Sequence, residues 1–209
     1  SKGIYSIENY LTSRRLMYWQ VYLHKTAVAC EKVLINALNR AKFLRMTGHD
    51  IFASPSLDYF LCNNIDASHF HTSPEALEHY SLLDDNDIWC ALKVWQKSND
   101  KILALLSSDV INRHIFKVEV SDSPFPSDYV CQIKEQLASH FNISPDDTKH
   151  LYSIDTVQKD MYDINDDHIS ILYKDGTLRD IAEASDILNI SLLSRKVKKH
   201  YFCYQKIPD

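Results

Sequence analysis

His114-Ile115-Phe116-Lys117-Val118-Glu119-Val120 is the stretch at which the chain changes its period. Apolar and polar residues alternate there, as on a half-buried strand, whereas the residues before it repeat at helical spacing. From Ser6 to Arg45 no proline or glycine intervenes, and Ile7, Leu11, Tyr18, Val21, Val28, Ile35 and Leu38 predict one long helix or two in tandem. Gly48 supplies the stop, because glycine enters the left-handed conformation at low cost. Ser54-Pro55 and Ser73-Pro74 each place a capping hydroxyl before a first-turn proline, which predicts helices over 55–63 and 74–83. The run from Asp84 to Asp87 caps a further helix through Trp95, and Lys101 to Asn112 reads as another.

Beyond the change of period, Pro124 and Pro126 interrupt the chain before Ser127–Phe141 returns to helical spacing. Asp175-Gly176, between the alternating runs of 169–181, predicts a hairpin turn. Val197 to Tyr204 reads as a strand whose lysines would protect a sheet edge. Tyr152 to Val157 fits a strand or an irregular loop within the ambiguous 150–168. The fold class expected is α+β, predominantly α-helical, with a small mixed or antiparallel sheet in the C-terminal part. The domains expected are a helical region over 1–113 and a small α/β unit over 114–209, with the boundary near 113–123.

The composition narrows function. With 209 residues, 45% hydrophobic and 24% charged, the chain is long and apolar enough to bury a core. Three glycines cannot furnish a phosphate-cradling loop or a dinucleotide fingerprint. A net charge of -5 offers no general attraction for polyanions, so nucleic acid is not an expected partner. Cys30, Cys62, Cys90, Cys131 and Cys203 lack a C-x-x-C pair and are expected to be reduced and mostly buried. With no apolar run of membrane-spanning length and no leader-like N-terminus, the expected location is cytoplasmic, with no membrane partner.

Residues capable of chemistry concentrate between Arg14 and Lys25. On a regular helix Arg14, Tyr18, Tyr22 and Lys25 share one face, where two cations could pair with phosphate oxygens and a tyrosine could pack on a base or sugar. A packed helix with snorkelling cationic stems and core tyrosines explains the same pattern. His49-Asp50 has the letters of a metal-binding dyad but follows Thr47-Gly48 in a helix-ending loop, and His69 and His71 are isolated, so no metal site is assigned. Cys30 reads as a small buried thiol without a base, Asp84, Asp85 and Asp87 as helix-capping groups, and Trp89 and Trp95 as core. Lys196, Lys198, Lys199 and His200 read as a solvated strand face.

The run Gly3-Ile4-Tyr5-Ser6-Ile7-Glu8-Asn9-Tyr10-Leu11, then Arg14-Arg15-Leu16-Met17-Tyr18-Trp19-Gln20-Val21-Tyr22-Leu23-His24-Lys25-Thr26, resembles the segment just downstream of the metal-binding domain in bacterial HD-superfamily phosphohydrolases. The likeness continues more weakly through Ser54 to Leu61, the helices before Arg113 and the terminal α/β unit, with a layout similar to dNTP triphosphohydrolases. It implies that Arg14, ten residues before His24-Lys25, contacts substrate phosphates and that Tyr22 lies by the nucleoside. Tyr18, His24 and Lys25 complete the implied substrate-binding set. Leu23 departs from the polar residue of the mammalian pattern, which leaves nucleotide choice open. Arg113, ahead of Lys117, resembles an arginine near regulatory phosphates. The resemblance implies that the metal ligands and the catalytic acid and base precede this segment. The chain would then hold no catalytic residue and bind no cofactor itself, and a divalent metal is expected in the HD domain of the parent. The expected partners are a nucleotide or another phosphorylated small molecule and further copies of the chain, as a homo-oligomer.

Overall fold

A computed structural model describes residues 2–159, 169–185 and 197–207. It is α+β, mainly helical with small sheets, as the change of period predicts. Two compact units interleave along the chain. One comprises Ser1–Val28, Glu119–Phe125 and Ile154–Tyr201; the other comprises Ala29–Val118, Pro126–Ser153 and Phe202–Asp209.

In the first unit, helix α1 (Lys2–Met17) sets Ile4 and Leu11 against Ile181 and Ala184 of the short helix α9 (Ile181–Ala184). Ile7, Ile169, Ile171 and Tyr173 pack on that cluster. Glu8, on the same buried stripe, accepts a hydrogen bond from the Ser185 hydroxyl, which answers the cost of burying a carboxylate. Strands β3 (Ser170–Leu172) and β4 (Leu178–Asp180) pair antiparallel, with Ile171 opposite Arg179. Their turn is wider than a two-residue Asp-Gly turn. Tyr173 accepts from the Gly176 N–H at 3.0 Å and donates to the Thr177 carbonyl at 2.8 Å, leaving a three-residue loop with Gly176 at φ +83. Asp175 accepts from both the backbone and the hydroxyl of Thr177.

Of the two readings of this stretch, one long helix or two in tandem, the structure has two in tandem. After α1 the backbone widens into a π turn over Tyr18–Tyr22, closed by the Leu23 N–H donating to the Tyr18 carbonyl at 2.8 Å. Helix α2 (Lys25–Met46) then begins afresh. The carbonyl of Leu23 receives the Tyr201 hydroxyl at 2.9 Å.

In the second unit, the buried stripe of α2 carries Val33, Ala37, Ala41 and Leu44 together with Asn36 and Arg40, whereas Ile35 is exposed. Gly48, at φ +87, ends this helix: its N–H meets the Arg45 carbonyl while the His49 N–H reaches that of Leu44. The predicted caps hold. Ser54 caps α3 (Pro55–Cys62), Ser73 caps α5 (Pro74–Leu82), and Asp84 with Asp87 forms a reciprocal box on α6 (Asp85–Trp95). His69 and His71 sit on a single turn, α4 (His69–Thr72), where His69 faces Asp66 at 2.9 Å. Leu92 and Trp95 of α6 and Leu103 and Leu106 of α7 (Lys101–Asn112) are buried, as are Val130, Ile133 and Leu137 of α8 (Ser127–Phe141).

Strands β1 (Lys117–Ser121), β2 (Tyr152–Lys159) and β5 (Val197–Tyr204) form a sheet in the order β1-β5-β2. The strand expected at an edge is therefore central. Tyr201, Phe202, Cys203 and Tyr204 are consecutively buried, the pattern of a strand covered on both faces. His200 is buried and shares a 2.9 Å hydrogen bond with Thr156, while Lys199 pairs with Asp122, so the expected solvated face reduces to Lys198. Lys196 and residues 160–168 lie outside the described residues.

Two further expectations change. Cys30, Cys62, Cys90 and Cys131 are exposed free thiols and only Cys203 of the five is buried. Cys30 follows the buried pair Val28 and Ala29 on α2 and is turned outward by the helical rotation. Trp89 is 47% exposed, off the α6 stripe on which Leu92 and Trp95 lie. Among the described residues no helix is long and apolar enough to cross a membrane.

Candidate functional site

The π turn positions the cationic and aromatic residues of the first unit. A regular helix offers roughly 3.6 residues per turn, and the wider turn holds Tyr18 and Tyr22 side by side, with ring centroids 5.4 Å apart and planes tilted 49°. Arg14, one turn earlier on α1, places its guanidinium carbon 5.9 Å from the Tyr18 centroid. Tyr10, Ser13 and Met17 complete the walls of a groove of about 580 Å³. Arg14 has no carboxylate partner among the described residues. Arg14 thus lines the groove with no competing carboxylate among the described residues, an arrangement suited to a phosphate or carboxylate ligand.

Arg14, Tyr18 and Tyr22 are thus brought together, while His24 and Lys25 do not line this groove. The break at Leu23 removes them from the periodic face. His24 instead accepts the Thr26 N–H on Nδ1 at 3.3 Å, capping α2, and Lys25 is exposed at its first position. Arg113 ends α7 in the left-handed conformation at φ +59, its N–H directed to the carbonyls of Asp109 and Val110, with the side chain exposed. His49 shares a 3.1 Å hydrogen bond with the Thr47 hydroxyl and Asp50 lies 3.7 Å from Arg45, so neither is directed at a shared cation. Among the described residues no three His, Cys, Asp or Glu side chains gather as a metal site.

The polar cluster that periodicity did not reveal lies in the second unit. Arg40 is buried and bonds Asp100 twice, Nε to Oδ1 at 3.1 Å and an Nη to Oδ2 at 2.7 Å, and also bonds Asp147. Burial opposes the guanidinium charge, but the two carboxylates outweigh it and hold its pKa above the ordinary arginine value. Asp100 and Asp147 are each raised by burial and lowered further by hydrogen bonds and by Arg40, ending below the usual carboxylate range. Asp100 also caps α7 through the Leu103 N–H at 2.8 Å. Beside them His150 is buried, its pKa pushed down to about 4 by desolvation and then by Arg40 and Lys149. Among the described residues its Nε2 has no hydrogen-bond partner. Asn36 donates to the His150 and Tyr152 carbonyls at 3.0 and 3.1 Å and tethers the same segment. The sequence signal was the placement of Asn36 and Arg40 four apart among alanines on a stripe otherwise apolar.

No family model matches the chain. It is 27% identical over 215 residues to the uncharacterized protein YwfO of Bacillus subtilis strain 168, a match covering 98% of this chain and 46% of that protein. The crystal structure of a phosphohydrolase from Bacteroides thetaiotaomicron VPI-5482 is 55% identical and superposes with a TM-score of 0.91, over 98% of this chain and 51% of that one. The chain spans about half the length of both proteins.

Proposed function

We propose that this chain is part of a phosphohydrolase of the HD superfamily, in which it supplies one wall of the pocket for a phosphorylated small molecule. The observation that carries the reading is Arg14, without a carboxylate partner among the described residues and set over the Tyr18 ring in a groove beside Tyr22. The 55% identity to the Bacteroides phosphohydrolase supports the reaction class. A nucleotide, as in dNTP triphosphohydrolases, is the proposed substrate: the guanidinium pairs with phosphate oxygens while a tyrosine ring packs on the sugar or base. In this proposal the divalent metal of the reaction, like its acid and base, is supplied by residues outside this chain. The chain by itself is then inactive; metal-dependent turnover of dNTPs by the purified 209-residue protein would contradict this.

A second reading is an assembly module that makes no substrate contact and joins copies into a homo-oligomer. Its support is the exposure of Tyr5, Tyr10, Leu16 and Met17 along α1. Thermal-shift titration of this chain with dNTPs and GTP, repeated with Arg14→Ala, separates the two. A saturable shift that disappears in the variant is expected for a pocket wall. A shift indifferent to Arg14, or none in either protein with sedimentation reporting a stable oligomer, favours assembly.

A further inference from the structure

A second groove, of about 560 Å³, lies wholly within the second unit between the loop after α2 and the turn joining α6 to α7. Lys93 and Lys97, one helical turn apart on α6 and its continuation, stand on one side. Both are exposed, and neither has an ion-pair or hydrogen-bond partner for its ammonium among the described residues. Lysines near a helix C-terminus commonly serve its free carbonyls. Here that demand is met otherwise, because the Leu92, Val94 and Trp95 carbonyls accept backbone N–H groups and the Lys93 carbonyl accepts the Gln96 amide. The two charges are therefore uncommitted.

The rest of the groove fits an anion with an apolar body. Asp50 and Asp100 also line it: Asp100 is held twice by Arg40, and Asp50, fully exposed, lies 3.7 Å from Arg45, whose close partner is Asp58. His49 contributes a ring whose Nδ1 is engaged by Thr47. Phe52 and Val94, 47% and 44% exposed, give an apolar wall, and the Phe52 backbone is fixed by the Trp95 indole N–H donating to its carbonyl at 2.8 Å. A volume of this size accommodates a small molecule rather than a lone ion.

We propose that this groove is an anion site distinct from the Arg14 groove. It binds a phosphorylated small molecule through Lys93 and Lys97, with an apolar or aromatic portion of the ligand resting on Phe52. The inference goes beyond the proposed activity and stands without it. Amide NMR titration of the 209-residue chain with phenyl phosphate tests it. Saturable shifts at the amides of 49–52 and 93–99 are expected, followed separately from any at 10–22, which would report the Arg14 groove. Replacing both exposed lysines, Lys93→Ala with Lys97→Ala, should weaken binding by about tenfold, and Arg14→Ala should leave it unchanged. Inorganic phosphate should bind the same amides more weakly, lacking the apolar contact. Absence of shifts at these amides, equal affinity in the double variant, or loss on Arg14→Ala would overturn the proposal; inorganic phosphate binding as tightly as phenyl phosphate would remove the role of Phe52.

Discussion

Arg14 stands half-exposed over a tyrosine ring with no carboxylate partner among the described residues, whereas Arg40 is buried and held by Asp100 and Asp147. Both stand on helices, and both carry the same five donors. The difference lies in what the fold has already supplied to each. Arg40 has its anions built in, so its binding capacity is consumed in joining α2 to the start of α7 and to the turn before β2. Arg14 has no carboxylate partner among the described residues, so its donors remain open to a ligand. A buried cation with partners is a structural device, and a half-exposed one without them is a candidate site.

The comparison breaks first at Arg40. Truncation by Arg40→Ala leaves two partly buried carboxylates without their cation and should cost about 3–5 kcal/mol at neutral pH, read by urea unfolding. Removing the charges together, as Arg40→Met with Asp100→Asn and Asp147→Asn, should recover a large part of that loss, since the asparagine at 100 still caps α7. If Arg40→Ala is nearly neutral, the ion cluster is not what holds these elements.

The pH dependence sharpens the same contrast. His150 is neutral in the fold, with its pKa lowered to about 4 against an ordinary 6.5, so the unfolded chain binds a proton that the native one refuses. Between these values stability should rise with pH. It is complete above about 6.5 and falls progressively as the solution is acidified toward 4, by about 3 kcal/mol for this group. Asp100 and Asp147, with lowered pKa values, lose their contribution at still lower pH, below the ordinary carboxylate range. Thermal midpoints followed from pH 7 to pH 4 should decline, and His150→Gln should flatten the decline in this window. An equal slope in the variant would assign the acid sensitivity to other groups.

Much of the fold was legible because its signals are local. Ser54-Pro55, Ser73-Pro74 and Asp84 with Asp87 cap their helices through bonds spanning two or three residues, and Gly48 is required by a positive φ. The π turn was not legible, since nothing in Tyr18–Tyr22 forbids an ordinary helical turn; with it went the expectation that Lys25 shares a face with Arg14. The central place of β5 escaped because the lysines of Val197–Tyr204 suit an edge, whereas four consecutive buried residues decide the matter only when the neighbouring strands are known. Arg40 escaped for a related reason. Its partners lie 60 and 107 residues away, beyond any pattern of spacing. Arg14 and the two tyrosines could be singled out because the groove is built from one short stretch of chain.

The smallest effect is expected where the proposed function places the most weight. Arg14→Ala removes a half-exposed guanidinium whose contact among the described residues is the Tyr18 ring, so its cost in folding should be about 0.5 kcal/mol or less. The unfolding curve of the variant should therefore overlay that of the parent, in the same conditions in which Arg40→Ala shifts it strongly. Should Arg14→Ala prove as destabilising as Arg40→Ala, Arg14 would be a second structural cation, and any loss of ligand binding in that variant would follow from damage to the π turn rather than from a missing phosphate contact. An unchanged curve together with lost binding leaves the guanidinium itself as the ligand's partner.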